Sequence, residues 1–127
     1  MMTIDSIEPP KPFELYKVAF EFEDRRGVFK NRPVVVISPR QFSDRVLVLS
    51  IKVTSKEPRA QTPGEVVLLD WEKAGLTKPS VARCSKLAQI PVSKFTNESR
   101  YGRLSSRDSC RVFDALVKLG ILASLDY

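Results

Sequence analysis

Apolar residues alternate from Leu15 to Phe22, with Val18, Phe20 and Phe22 on one face and Ala19 and Glu21 on the other, the period of two that marks a half-buried strand. Glu23 to Asn31, EDRRGVFKN, breaks that pattern with charge and with Gly27 near its middle. It is too polar for a core and too long for a tight hairpin, and it predicts a mobile loop. Val34 to Ile37 is a short β-branched run of the kind buried on both faces of a sheet. Pro33 opens that strand because proline cannot donate to a ladder, and it holds Arg32 extended at the rim. Pro39 to Asp44 predicts a turn into VLVLSIKVTS, a long third strand. EPRAQTPG, with two prolines, predicts a second exposed loop, and EVVLLDW a fourth strand. DWEKAGL reads as one helical turn closed by Gly75, followed by short strands at Val81 to Cys84 and around Leu87 to Ile90.

LSSRDSCRVFDALVKLG carries the strongest helix signal. Ser105 caps the first turn, Asp108 follows three residues later near the positive end, and Gly120 supplies the stop. Phe113, Leu116, Val117 and Gly120 fall on one side of it. The elements together predict a small, strongly curved, mostly antiparallel sheet of about five to seven strands with one helix at the C-terminal end.

A chain of 127 residues is long enough to bury a core without disulfides or a structural metal, and it reads as a flexible lead-in over 1–13 and a single domain over 14–127. Twenty-one Lys and Arg against 15 Asp and Glu leave a formal charge of +6, which suits a polyanionic partner such as nucleic acid or an acidic protein tail. No apolar run approaches the roughly 20 residues that span a bilayer, and MMTIDSIEPPKPF lacks the features of a signal peptide, so no membrane association and a cytoplasmic location are expected. Cys84 and Cys110 lie too far apart for a CxxC motif and read as buried small hydrophobes. The chain has no histidine, which removes Ser/His/Asp and Cys/His triads and the imidazole acid–base pair of many metal-independent nucleases. No nucleotide-binding glycine pattern is present, and no metal or cofactor is expected.

Several fragments together resemble the MazF/PemK/Kid family of bacterial toxins, the endoribonucleases of type II toxin-antitoxin systems, across roughly residues 14 to 119. VAFEFEDRRGVFKNRPVVVISP resembles that family's first strand, loop and RP-strand, and IKVTSK its Thr-Ser strand end. DWEKAGLTKPSVARC and GRLSSRD resemble its later strands and terminal helix. The resemblance implies a mainly β fold with α, a small SH3-like barrel of the CcdB/MazF/Kid type with a C-terminal helix, which forms a homodimer. It also implies metal-free cutting of single-stranded RNA, often messenger RNA, and neutralisation by a cognate acidic antitoxin with which the toxin binds DNA.

Carried over residue by residue, the likeness implies a catalytic set of Arg32, Thr54, Ser55, Arg83 and Ser85. Arg32 matches the arginine before proline, Thr54 and Ser55 the Thr-Ser pair, and Arg83 the later arginine. In one branch of the family an aspartate two residues beyond that arginine acts as base; here Ser85 stands there, and the general base is unassigned. Arg25, Arg26, Phe29, Lys30, Asn31, Lys56 and Lys86 form the expected RNA-binding set, several of them on the two loops that would flank the site. Two guanidiniums suit the charge that grows on phosphorus, because each donates parallel hydrogen bonds to phosphate oxygens.

Each of these residues also has a structural reading. Arg32 could simply solvate a strand end, the Thr54 and Ser55 hydroxyls could tie down a turn, and Arg83 could pair with Glu65 or Asp70. Trp71 offers a base-stacking surface or a cover for the barrel edge. Two functional alternatives stand beside the ribonuclease. One is an RNA-binding barrel of the same family with weak or no catalysis; the other is a CcdB-like gyrase poison, whose Trp-Gly-Ile ending is not matched by ASLDY.

Overall fold

The computed structural model describes residues 9–22, 24–42, 45–55 and 63–121. Six strands, β1 (Glu14–Phe22), β2 (Arg25–Phe42), β3 (Arg45–Thr54), β4 (Glu65–Val67), β5 (Val81–Pro91) and β6 (Arg100–Arg103), are followed by one helix, α1 (Ser106–Lys118). The strands pair antiparallel in the order β4-β5-β3-β2-β1-β6, and the sheet curls into a half-barrel with the helix at its C-terminal end.

Alternation in β1, β2 and β3 buries both faces. Leu15, Val35, Ile37, Leu49, Ile51 and Val53 point to the larger core, where Val112 and Leu116 of α1 meet them together with Val66, Leu68, Ala82 and Cys84. Tyr16, Val18, Val34, Val36 and Val48 point the other way into a smaller core with Ile90 and Phe95. The Tyr16 and Phe95 rings meet edge to face there with centroids 5.1 Å apart.

The expected loop at Glu23 to Asn31 is corrected: Arg25–Asn31 is strand. Ala19 pairs with Asn31, Phe20 with Lys30, Glu21 with Phe29 and Phe22 with Arg25, so β1 and β2 run out together as a ribbon. Asp24 to Asn31 are exposed along it, and Gly27 takes φ 79°. Polarity excluded these residues from a core but not from a ladder, because a two-stranded ribbon satisfies its backbone groups without burying side chains. Of the turn expected over Pro39 to Asp44, Pro39 to Phe42 is likewise strand, with Pro39 opposite Val48 and Phe42 opposite Arg45, and residues 43 and 44 lie outside the described residues. Beyond Val36 the described part of β2 pairs with β3 alone, which leaves a one-sided position that proline tolerates.

EVVLLDW contributes only Glu65–Val67 to the sheet before the chain turns, with Ala74 N–H donating to Asp70 and Leu76 N–H to Trp71. Gly75 closes this turn at φ 93°, and a Cβ there would lie 2.2 Å from the Tyr101 carbonyl oxygen. Only glycine fits. The two short strands expected after it are one, β5, interrupted by a bulge.

Ser105 caps α1 as expected, accepting from the Asp108 amide. Asp108 does more than complement the helix end. It is fully buried, accepts from the amides of Leu69 (3.1 Å) and Asp70 (2.8 Å), and pairs with Arg111. Asp70 in turn accepts from Arg107 and the Ser105 hydroxyl, contacts that hold its carboxyl well below the usual range. The turn at 68–76 is thereby pinned to the helix. Its inward line is Asp108, Val112 and Leu116, so the side expected from Phe113, Leu116, Val117 and Gly120 splits: Phe113 and Val117 are each 51% exposed. Cys110, two positions from both Asp108 and Val112, also faces outward, which corrects its expected burial, while Cys84 is buried as expected. Both thiols are free, and no described helix is long and apolar enough to cross a membrane.

Candidate active site

Three neighbouring strands align a row of polar side chains at one end of the smaller face. Val18 stands opposite Arg32, Val34 opposite Lys52, and Lys52 opposite Arg83. Cross-strand partners share a face, so Arg32, Lys52 and Arg83 continue the side of the sheet that buries Val18 and Val34. These residues, with Phe20, Val53 and Thr54, line a cavity of about 230 Å³. A second cavity of about 260 Å³ adjoins it, sharing Arg32 and Val53 and adding Lys30, Asn31, Ser55, Lys78 and Tyr101 among its walls.

Arg83 is placed by a bulge and an ion pair. The ladder jumps from Ile51 opposite Leu87 to Lys52 opposite Arg83, so Cys84, Ser85 and Lys86 are the extra residues on β5. The bulge draws Arg83 back to the level of Lys52. Glu65, opposite Arg83 on β4, accepts from its Nε at 3.1 Å. The salt bridge foreseen as an alternative is therefore present in a residue that also lines the cavity. It occupies one of the guanidinium's five N–H donors.

Arg32, Thr54 and Arg83 thus come together on one cavity, and Ser55 lies on its neighbour with Lys30 and Asn31. Arg25, Arg26 and Phe29 extend along the outer ribbon and line neither cavity. Ser85 and Lys86 are exposed on the bulge and likewise line neither. Lys56 falls outside the described residues. Trp71 packs against the larger core, matching the edge-covering reading over base stacking.

Lys52 and Phe20 are among the lining residues that escaped the sequence reading. Lys52 interrupts an apolar strand two positions before Thr54, and that shared parity was the available signal. Its Nζ lies 4.9 Å from the centroid of the Phe20 ring, a cation–π contact that seats the ammonium on an aromatic floor. Phe20 read as an ordinary strand residue and gave no separate sign. The resulting cavity carries three cations and a hydroxyl, with the carboxylate of Glu65 behind Arg83. Such a site is built to receive an anion. Among the described residues no cluster of Cys, Asp or Glu is arranged to hold a metal ion.

The fold has solved counterparts. A structure described as an endoribonuclease from mycobacterial species superposes with a TM-score of 0.62 at 12% identity, covering 91% of this chain and 96% of the other. The Mycobacterium tuberculosis toxin MazF-mt6 gives 0.55 at 20% identity over 81% and 93%. The MazE-MazF structure from Deinococcus radiodurans gives 0.64 at 18% identity over 94% and 100%. No curated protein matches significantly by sequence. The sequence profile of the PemK-like, MazF-like toxins of type II toxin-antitoxin systems matches residues 11–119, and with most of its length inside that match the chain belongs to this family.

Proposed function

We propose that this protein is an endoribonuclease toxin that cuts single-stranded RNA by attack of a ribose 2′-hydroxyl, without a metal ion, and that an acidic antitoxin segment blocks its cationic cavity. The observation that carries the reading is the convergence of Arg32, Thr54 and Arg83 on one cavity. In this reading the two guanidiniums bind the scissile phosphate and stabilise the charge that develops on it, and Thr54 orients the attacking hydroxyl. Lys30, Asn31 and Ser55 hold the adjoining nucleotide in the second cavity, while Arg25, Arg26 and Phe29 on the ribbon, with Lys56 and Lys86, bind the flanking strand. A homodimer is supported by the outward Phe113 and Val117, an apolar stripe suited to a second copy.

The test is incubation of purified protein with single-stranded RNA of mixed sequence in the presence of a chelator. Cleavage to 2′,3′-cyclic phosphate or 3′-phosphate ends is expected, and Arg32→Ala should abolish most of it; unchanged cutting by that variant removes the site. One observation favours a second reading, an RNA-binding barrel without catalysis. Ser85 replaces the aspartate of one family branch and lies outside the cavity. Retention of RNA with no cleavage across varied sequences would select that reading.

A further inference from the structure

We propose that Lys52 is the general acid of the cleavage, protonating the 5′-oxygen as it departs. The inference rests on the ribonuclease reading above. That reaction needs a proton delivered to the leaving oxygen, and the chain has no imidazole to supply it. Four residues on the cavity wall carry a transferable proton: Arg32, Arg83, Thr54 and Lys52. Guanidinium groups titrate above about 12 and seldom act as acids, and an unactivated hydroxyl is no better. An ammonium is the stronger acid of these types and becomes a neutral amine without disrupting a delocalised ion.

Position favours the same residue. Lys52 is the cross-strand neighbour of Arg83, and Arg32 lies two residues before its other partner, Val34, on the same face. A phosphate gripped by the two arginines therefore rests against the ammonium. The side chain is half-buried on the face opposite that of its chain neighbours Ile51 and Val53, and its seat on Phe20 limits the rotamers it must give up on binding. Lysines that merely solvate a surface keep their ammonium in water; this one is directed into a cavity.

In the step itself the 2′-oxygen forms a bond to phosphorus while its proton passes to solvent water. The P–O5′ bond breaks with its electron pair on O5′, which takes a proton from Nζ. The products are a 2′,3′-cyclic phosphate, a 5′-hydroxyl end and a neutral amine that is reprotonated from solvent.

The decisive experiment compares two oligonucleotides carrying the mapped cleavage sequence, one natural and one with sulfur in place of the bridging 5′-oxygen at the scissile link. A thiolate leaves without protonation. Lys52→Arg, which keeps the charge, and Lys52→Met should cut the natural substrate roughly a hundredfold to ten-thousandfold more slowly than the unaltered protein. Lys52→Arg should cut the sulfur substrate at close to the unaltered rate, which also shows that it is folded, and Lys52→Met, which lacks the charge as well, should recover most of its loss on that substrate. Arg32→Ala should be slow on both substrates. Normal cutting of the natural substrate by Lys52→Arg overturns the assignment and leaves the ribonuclease reading intact. Equal impairment of the Lys52 variants on both substrates also overturns it, in favour of a binding or packing role. Failure of the unaltered protein to cut either substrate removes both.

Discussion

On one face of the sheet Leu15, Val35, Ile51 and Val53 lie beneath α1, which packs on β4 and β5 and carries Val112 and Leu116 into the same core. On the other face Tyr16, Val18, Val34 and Val36 are covered by Phe95 and its neighbours, and the cover ends near Phe20. Beyond it, strand positions of the same parity hold Arg32, Lys52 and Arg83 around an open cavity. The backbone is the same on both sides; what differs is how far another element reaches across it. Parity assigns a side chain to a face, and the covering element decides whether that place becomes core or site.

If this division is right, damage to the sealed face should register as lost stability and damage to the open face as lost activity. The largest effect is expected at Asp108. Asp108→Ala removes a fully buried carboxylate that accepts from the amides of Leu69 and Asp70 and pairs with Arg111, and should cost about 3 kcal/mol or more in urea-induced unfolding. A loss below about 1 kcal/mol would mean that the helix is not what seals that face.

Arg32→Ala should do the reverse. It should lower kcat/KM for RNA at least about a hundredfold while moving the unfolding free energy by less than about 0.5 kcal/mol. Glu65→Gln sharpens the contrast, since it keeps the shape beside Arg83 and removes only the charge. Arg83 is 38% exposed, so the stability change should stay under about 1 kcal/mol, with a several-fold fall expressed in kcat more than in KM.

Acid tests the sealed face again, more gently. Arg107 and Ser105 hold the Asp70 carboxyl below its ordinary value of 3.8, so its contribution is complete above that pH and fades as pH falls beneath it. Asp70→Asn should therefore flatten the acid side of the stability–pH curve. The smallest effect concerns the thiols. Burial pushes Cys84 up to about 11, so at pH 8 a thiol reagent should label folded protein once, at Cys110. Labelling at Cys84 would show the larger core opening under native conditions.

Much of this architecture was legible from pattern alone. Alternation marked β1 and β3, the β-branched run at Val34 marked a strand buried on both faces, and Ser105 and Gly120 bracketed the helix. The ribbon at Arg25–Asn31 was not legible, because its pairing comes from backbone groups that leave no apolar trace. The outward turn of Phe113 and Val117 was hidden as well, since a buried carboxylate, Asp108, holds the inward line. In the site, Arg32, Thr54, Ser55 and Arg83 were reached through family likeness, and the Arg83–Glu65 pair through charge. Lys52 was missed because its strand read as structural from end to end, and only cross-strand register brings it level with Arg83 and within two residues of Arg32 on the same face.

The three extra residues in β5 have a practical consequence for comparing relatives. Each residue of slippage there displaces everything before it by about 3.3 Å and exchanges the two sides of the strand. Were β5 paired regularly beyond Leu87, with no bulge, Lys86 rather than Arg83 would stand across from Lys52. Gap placement at Cys84 to Lys86 therefore determines which basic residue an alignment equates with the arginine, and coordinates are the safer arbiter of that choice.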